Sequence, residues 1–309
     1  MTPKIAVYNG FPFHYEMFGY LIDWSISRGI TLDIYTNNQH DMGCFDFHVK
    51  QFGPRFNVFP CVELTTQKLD SYRRLILTTD DDWYFPRQFP NISEHNLGKI
   101  VSIEHDNWNR TKFGNPKIGT RFFISRPEMP WAIPTYRLIS PEEKRARLQG
   151  KIRIAAVGNG FLPGYRMYDF GGEHFVGDNL EFHVISREID PTCFSGFRNI
   201  HFHSELDTST LVEVLKDSHY VFHYPDKRKI FRAITGVMLL APGCLAKSII
   251  CRESLHYYLM GGIFPHTIEY SSDSVLSLSS DTQVEQLDQD LLDLIQHRNF
   301  VLDSILEDS

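Results

Sequence analysis

Short, nearly continuous apolar runs alternate along this chain with stretches whose apolar residues recur at helical spacing. Lys4 to Tyr8 (KIAVY) reads as a buried strand closing on the turn signal Asn9-Gly10. Tyr15 to Arg28 follows, with Met17, Leu21, Trp24 and Ile26 at rough helical spacing and Gly29 as the stop. Leu32 to Tyr35 is the next strand, then an aromatic-rich helix candidate, then a strand over Asn57 to Val62. Arg74 to Thr78 (RLILT) runs into Asp80-Asp81-Asp82, and Lys99 to Ile103 (KIVSI) into Glu104-His105-Asp106. Apolar strands alternating with helices predict a parallel sheet covered on both faces.

The pattern then breaks. Pro127, Pro130, Pro134 and Pro141 punctuate a stretch that ends in the charged run Glu142 to Arg147, which reads as a linker with one short helix. A second alternating series begins at Lys151 to Val157 (KIRIAAV), which closes on Gly158-Asn159-Gly160. Strands are predicted over Leu180 to Ile185, Asn199 to His203, His219 to His223 and Ser248 to Cys251. Helices are predicted over Thr208 to Lys216 and Ile234 to Leu245. Gln283 to Glu307 sets Val284, Leu287, Leu291, Leu294, Val301 and Ile305 on one stripe, as one or two amphipathic helices. No internal repeat is visible. The expected fold is α/β, with two Rossmann-like doubly wound parallel-sheet domains facing a cleft and C-terminal helices. The domain bounds are 1–130, a linker at 131–150, 151–275, and C-terminal helices at 276–309.

The length of 309 residues agrees with two domains, and 42% hydrophobic with 22% charged residues excludes rods and wholesale disorder. A formal charge of -7 argues against general affinity for nucleic acid or an anionic membrane, so an anionic ligand needs a local patch. No run approaches a transmembrane span, and the N-terminus enters a strand pattern with no signal-peptide core. Five cysteines without a Cys-x-x-Cys pair read as reduced thiols. The expectation is a cytoplasmic protein.

That local patch is present in Asp226-Lys227-Arg228-Lys229-Ile230-Phe231-Arg232, just before a helix whose first turn carries Thr235-Gly236. A helix start offers free N–H groups and partial positive charge, Gly236 permits close approach, and Thr235 adds a hydroxyl. The pattern points to a diphosphate; a solvated basic loop with an ordinary cap is the plainer alternative. In the first series, His14 lies between the first strand and its helix, with Glu16 two residues on. Either has the chemistry of a general base, or simply caps the helix. Asp81 and Asp82 follow a strand and would orient His14, replace it or hold sugar hydroxyls, with Trp83 as a stacking surface. An acidic turn is the alternative. Gly158, Asn159 and Gly160, with Gly164, come close to a dinucleotide fingerprint but lack its third Gly spacing and form a weak phosphate or sugar loop, and Arg187 and Tyr224 follow strands that would edge the same pocket.

The stretch Ile234 to Ala241, followed by Ala246-Lys247-Ser248-Ile249-Ile250, resembles the donor-site helix and strand of GT-B glycosyltransferases. Lys4 to Tyr35 is similar to the first strand, helix and strand of their acceptor domain. The resemblance implies a sugar moved from a nucleoside-diphosphate donor, UDP- or GDP-linked, to a hydroxyl of a glycan or glycoconjugate. It also implies a base at the position of His14. Thr235 and Gly236 would receive the diphosphate, Lys229 and Arg232 would neutralise it, and Glu253 would hold ribose hydroxyls. The chain departs from many retaining members: Glu253 is followed eight positions on by Gly261 where a second Glu is required. Inversion is therefore preferred, and the GT-B resemblance is taken with no metal and no separate cofactor.

Other readings stay open. Asp80-x-Asp82 matches the metal-binding pair of GT-A glycosyltransferases, a reading that leaves the second series from Lys151 unexplained. A nucleotide-sugar epimerase shares the two-lobed fold, and a binding protein or a nicotinamide oxidoreductase ranks lower. His201-x-His203 points two imidazoles to one side of a strand, but the sequence positions no further ligand, so no metal site is expected. His219 and His223 read as core or cleft-edge residues rather than ligands.

Overall fold

The computed structural model describes residues 4–10, 15, 18–37, 43–78, 84–104, 120–123, 135–157, 172–186, 189, 191–194, 196–204, 206–223, 236–251, 267–271 and 274–306. The chain divides into two compact units, Met1–Pro134 with Ile295–Ser309, and Thr135–Leu294.

The first unit is built on β1 (Lys4–Asn9), α1 (Phe18–Ser27), β2 (Thr31–Thr36), α2 (Cys44–Phe52), β3 (Phe56–Pro60), α3 (Thr66–Asp70), β4 (Arg74–Leu77), α4 (Tyr84–Gln88), α5 (Glu94–Leu97), β5 (Ile100–Glu104) and β6 (Thr120–Phe123). Its six strands are all parallel, in the order β3-β2-β1-β4-β5-β6. α1 stops where expected. Gly29 adopts φ 65, and the Ile30 N–H reaches back to the Ser25 carbonyl at 2.9 Å, a left-handed cap that a Cβ would strain. Asp33, buried on β2, accepts from the Tyr72 hydroxyl and from Asn57 Nδ2, both at 2.7 Å, so its charge is solvated by protein groups. The core on this side gathers Ala6, Tyr8, Tyr35, Leu69, Leu75 and Phe85.

The second unit opens earlier than the proline pattern implies. Tyr136, Leu138 and Ile139 are buried, and the Leu138 N–H donates to the Gly243 carbonyl at 2.9 Å. A Cβ on Gly243 would lie 2.3 Å from the Tyr136 carbonyl oxygen, so this approach requires glycine. The charged run forms α6 (Pro141–Arg147), with Ser140 capping, Pro141 opening the first turn and basic residues in the last. This is the one short helix expected of that run, and a single charged residue of it is buried. Lys144 is fully buried, and its Nζ donates to the carbonyls of Lys216 (2.9 Å) and Ser218 (2.6 Å). Burial pulls its pKa down to about 7.

There follow β7 (Ile152–Val157), β8 (Phe175–Val176), β9 (Leu180–Ile185), β10 (Ile200–His203), α7 (Thr208–Lys216), β11 (Tyr220–His223), α8 (Gly236–Gly243), β12 (Lys247–Cys251), β13 (Ile268–Tyr270), β14 (Leu276–Ser277) and α9 (Val284–Leu306). The main sheet is again parallel throughout, ordered β10-β9-β7-β11-β12-β13, while β8 and β14 form a small ribbon. Renumbered within its unit, each main sheet runs 3-2-1-4-5-6, so the doubly wound expectation holds twice. The predicted C-terminal helices are one continuous helix, α9. Its later residues belong to the first unit, where Trp24 Nε1 donates to Asp303 Oδ1 at 2.8 Å and the buried Arg298 pairs with Asp23 at 2.7 Å.

Candidate functional site

In a doubly wound sheet the first two crossovers leave in opposite directions, which opens a crevice beyond the carboxyl ends of the strands where the order reverses. That switch point lies between β1 and β4 in the first unit and between β7 and β11 in the second. The residues nominated from sequence follow these four strands in the chain. His14 and Glu16 come after β1, Asp80, Asp81 and Asp82 after β4, Gly158 to Gly160 after β7, and Tyr224 to Thr235 after β11. Those residues, with Arg187, Lys229, Arg232 and Glu253, lie outside the described residues. Gly236 is described: it is the first residue of α8, the helix that crosses from β11 to β12.

Within the first unit, a cavity of about 830 Å³ opens at the carboxyl ends of β1, β2 and β3. Its wall includes Tyr8, Thr36, Asn37, Thr65, Arg87 and Gln88. Gln88 organises one side: its Nε2 donates to the carbonyls of Cys61 (2.7 Å) and Leu64 (2.9 Å), while its Oε1 accepts from the Tyr8 hydroxyl at 2.9 Å. Tyr8 packs edge-on against Phe85, with centroids 5.3 Å apart. Thr36 is 2% exposed, and its Oγ1 has no hydrogen-bond partner among the described residues. A buried hydroxyl without a partner is costly unless a ligand supplies one. Aromatic faces beside amides and hydroxyls suit a polyhydroxylated ligand. Sequence reasoning missed this wall. Thr36 reads only as a strand end, and Gln88 meets Tyr8 across 80 residues of chain.

In the second unit His219 and His223 are core residues, as expected. His223 Nε2 contacts Ser248 Oγ at 3.3 Å, and burial pushes its pKa down to about 3. His219 Nδ1 accepts from the Arg153 N–H at 3.2 Å; burial, then the charges of Lys144 and Arg153, lower it to about 4. His201 and His203 do acquire neighbours that the sequence alone did not position, because the adjacent strand β9 brings Glu181 and His183 beside them.

No protein-family model matches the chain, and no curated protein matches it in sequence. Solved structures do resemble it in part. A protein from Listeria monocytogenes described as a UDP-N-acetylglucosamine 2-epimerase is 11% identical, with 97% of this chain and 91% of that one covered at a TM-score of 0.49. HepE of Anabaena, in complex with UDP-glucose, is 10% identical over 98% and 95% of the two chains at 0.48. The Escherichia coli ADP-heptose heptosyltransferase II is 9% identical over 94% and 99% at 0.47. These likenesses are weak, and what the chain does is read below from its own topology and residues. Among the described residues, no helix is long and apolar enough to cross a membrane.

Proposed function

We propose that this chain is a GT-B-type glycosyltransferase, moving a hexosyl or pentosyl group from a nucleoside-diphosphate sugar to a hydroxyl of a glycan or other acceptor. The observation that carries this reading is the coincidence of two independent patterns. Each sheet has one switch point, and His14 with Glu16, Asp80 to Asp82, Gly158 to Gly160 and the basic segment ending at Gly236 each follow a strand flanking one of them, while Arg187 and Glu253 follow β9 and β12. The second sheet is the element that the metal-dependent GT-A alternative leaves unexplained.

In the proposed mechanism the second unit binds the donor. The start of α8, at Thr235 and Gly236, receives the diphosphate, and Lys229 and Arg232 neutralise the charge that develops on the leaving group. Gly158 to Gly160 lie along the phosphates or sugar, with Arg187 and Tyr224 beside them, and Glu253 accepts the ribose hydroxyls. The first unit binds the acceptor, whose hydroxyls would satisfy Thr36 in the cavity. His14 takes the proton from the attacking hydroxyl, with Glu16 as its nearest substitute and Asp81 or Asp82 as orienter. Attack from the face opposite the leaving diphosphate inverts the anomeric centre. No metal is required at the diphosphate.

A thermal-shift panel of UDP, GDP, CDP and dTDP, followed by nucleotide-release assays on the matching sugars in excess chelator, tests the reading. Acceptor-dependent release that persists in chelator supports it. A strict manganese or magnesium requirement would replace it with the GT-A reading. Turnover of the nucleotide sugar without acceptor would replace it with an epimerase, and binding without turnover with a binding protein.

A further inference from the structure

Alternate residues of a strand share a face, and neighbouring parallel strands lie about 4.8 Å apart. With His201 in register with His183, Glu181 two residues earlier on β9 and His203 two residues later on β10 lie diagonal to that pair, and the four form a staggered grid on one face of the second sheet. Phe182 and Val184, on the opposite face of β9, are buried in the hydrophobic core. The grid sits at the edge of the sheet, since β10 is the terminal strand.

The donor atoms converge. His201 Nε2 lies 3.0 Å from Glu181 Oε1, His183 Nε2 lies 3.9 Å from Glu181 Oε2, and one donor from each of the three residues falls within 4.8 Å of the others. His183 Nδ1 meets His203 Nε2 at 3.0 Å. When His183 donates in that bond, its Nε2 keeps a bare lone pair on the side of Glu181 and His201. That Nε2 is buried and has no hydrogen-bond partner among the described residues. Burial, then the neighbouring His203, holds His183 below its ordinary pKa.

We propose that Glu181, His183 and His201 bind a divalent transition ion of the zinc type, with water completing the shell. Two imidazoles and a carboxylate suit zinc, cobalt or nickel rather than magnesium or calcium. Tetrahedral binding at about 2.0–2.2 Å needs only small rotations of side chains already this close. His203 is a positioning residue that fixes the ring and tautomer of His183, as a second hydrogen bond does for most metal-bound histidines. Lys151 and Arg153 compete for the Glu181 carboxylate, both at 3.2 Å. The Lys151 side chain is 52% exposed and free to swing away when the ion enters. No step of sugar transfer passes through this ion.

The full chain, stripped with chelator and dialysed, should be titrated with zinc by calorimetry and with cobalt(II) by visible absorption. The site predicts one equivalent bound, with cobalt bands of low-coordinate nitrogen and oxygen ligation. His201→Ala, on the edge strand β10, and the isosteric Glu181→Gln, on β9, should weaken binding by about 10-fold or more with the fold unchanged by circular dichroism. Lys151→Met should tighten it, by about threefold or more, because a competing cation is removed. The chain carries 14 histidines, so weak binding elsewhere is the alternative. Binding unaffected by His201→Ala and Glu181→Gln, or the absence of a stoichiometric site, would overturn the proposal.

Discussion

The Tyr8 hydroxyl donates to Gln88 Oε1 at 2.9 Å, which ties the carboxyl end of β1 to α4 across 80 residues. The same amide holds the carbonyls of Cys61 and Leu64, so one side chain fixes three sides of the first unit's cavity. Gln88→Ala should loosen that wall and raise the acceptor KM by about 10-fold. Nucleoside-diphosphate affinity should not change, and kinetics with varied acceptor beside nucleotide calorimetry checks both. An equal loss in both would mean that the cavity is not the acceptor site.

Lys144 makes a separate structural prediction. Its Nζ satisfies two carbonyls at the end of α7, so Lys144→Met should leave them buried and unpaired at a cost of about 2 kcal/mol or more, read as a lower urea midpoint. A variant as stable as the parent would show that the ammonium's desolvation cancels its bonds.

Asp303 accepts from Trp24 Nε1 at 2.8 Å and from Arg28 Nε at 2.9 Å. Trp24 is fully buried, so Asp303→Ala strands its indole N–H. The expected cost is about 1–3 kcal/mol in chemical denaturation.

The two buried histidines set an acid limit. His223 and His219 have folded pKa values of about 3 and about 4, below the ordinary 6.5, so the unfolded chain binds more protons between those values and 6.5. Stability is therefore fully present above pH 6.5 and is lost as the pH falls towards 4, by at most about 1.4 kcal/mol per pH unit for each ring. Denaturation midpoints at pH 7, 6 and 5 should show the decline, and His219→Gln should flatten it.

Most of the fold was legible in the chain because central parallel strands are buried on both faces and read as unbroken apolar runs, as in KIAVY and KIRIAAV. The strands that sequence reading passed over are edge pieces. β6 (TRFF), β13 (IEY) and the two-residue β8 and β14 are too short to show a period and exist through pairing with a neighbour. The run Glu142 to Arg147 reads as a linker with one short helix, and the helix is there, but nothing local reveals that α7's last carbonyls wait for Lys144. The residues nominated from sequence are ones that follow a strand, and all but Gly236 lie outside the described residues. The cavity wall and the Glu181–His183–His201 grid depend on strand order and register, which bring together residues that no local motif connects.

The most direct test of the donor assignment is calorimetry with whichever of UDP, GDP, CDP or dTDP shifts the melting curve, on the parent chain and on Lys229→Ala/Arg232→Ala. One equivalent bound by the parent, and an affinity lower by about 100-fold in the double variant, is the predicted result. Parent-like affinity in the double variant, or no diphosphate binding by the parent, would contradict it.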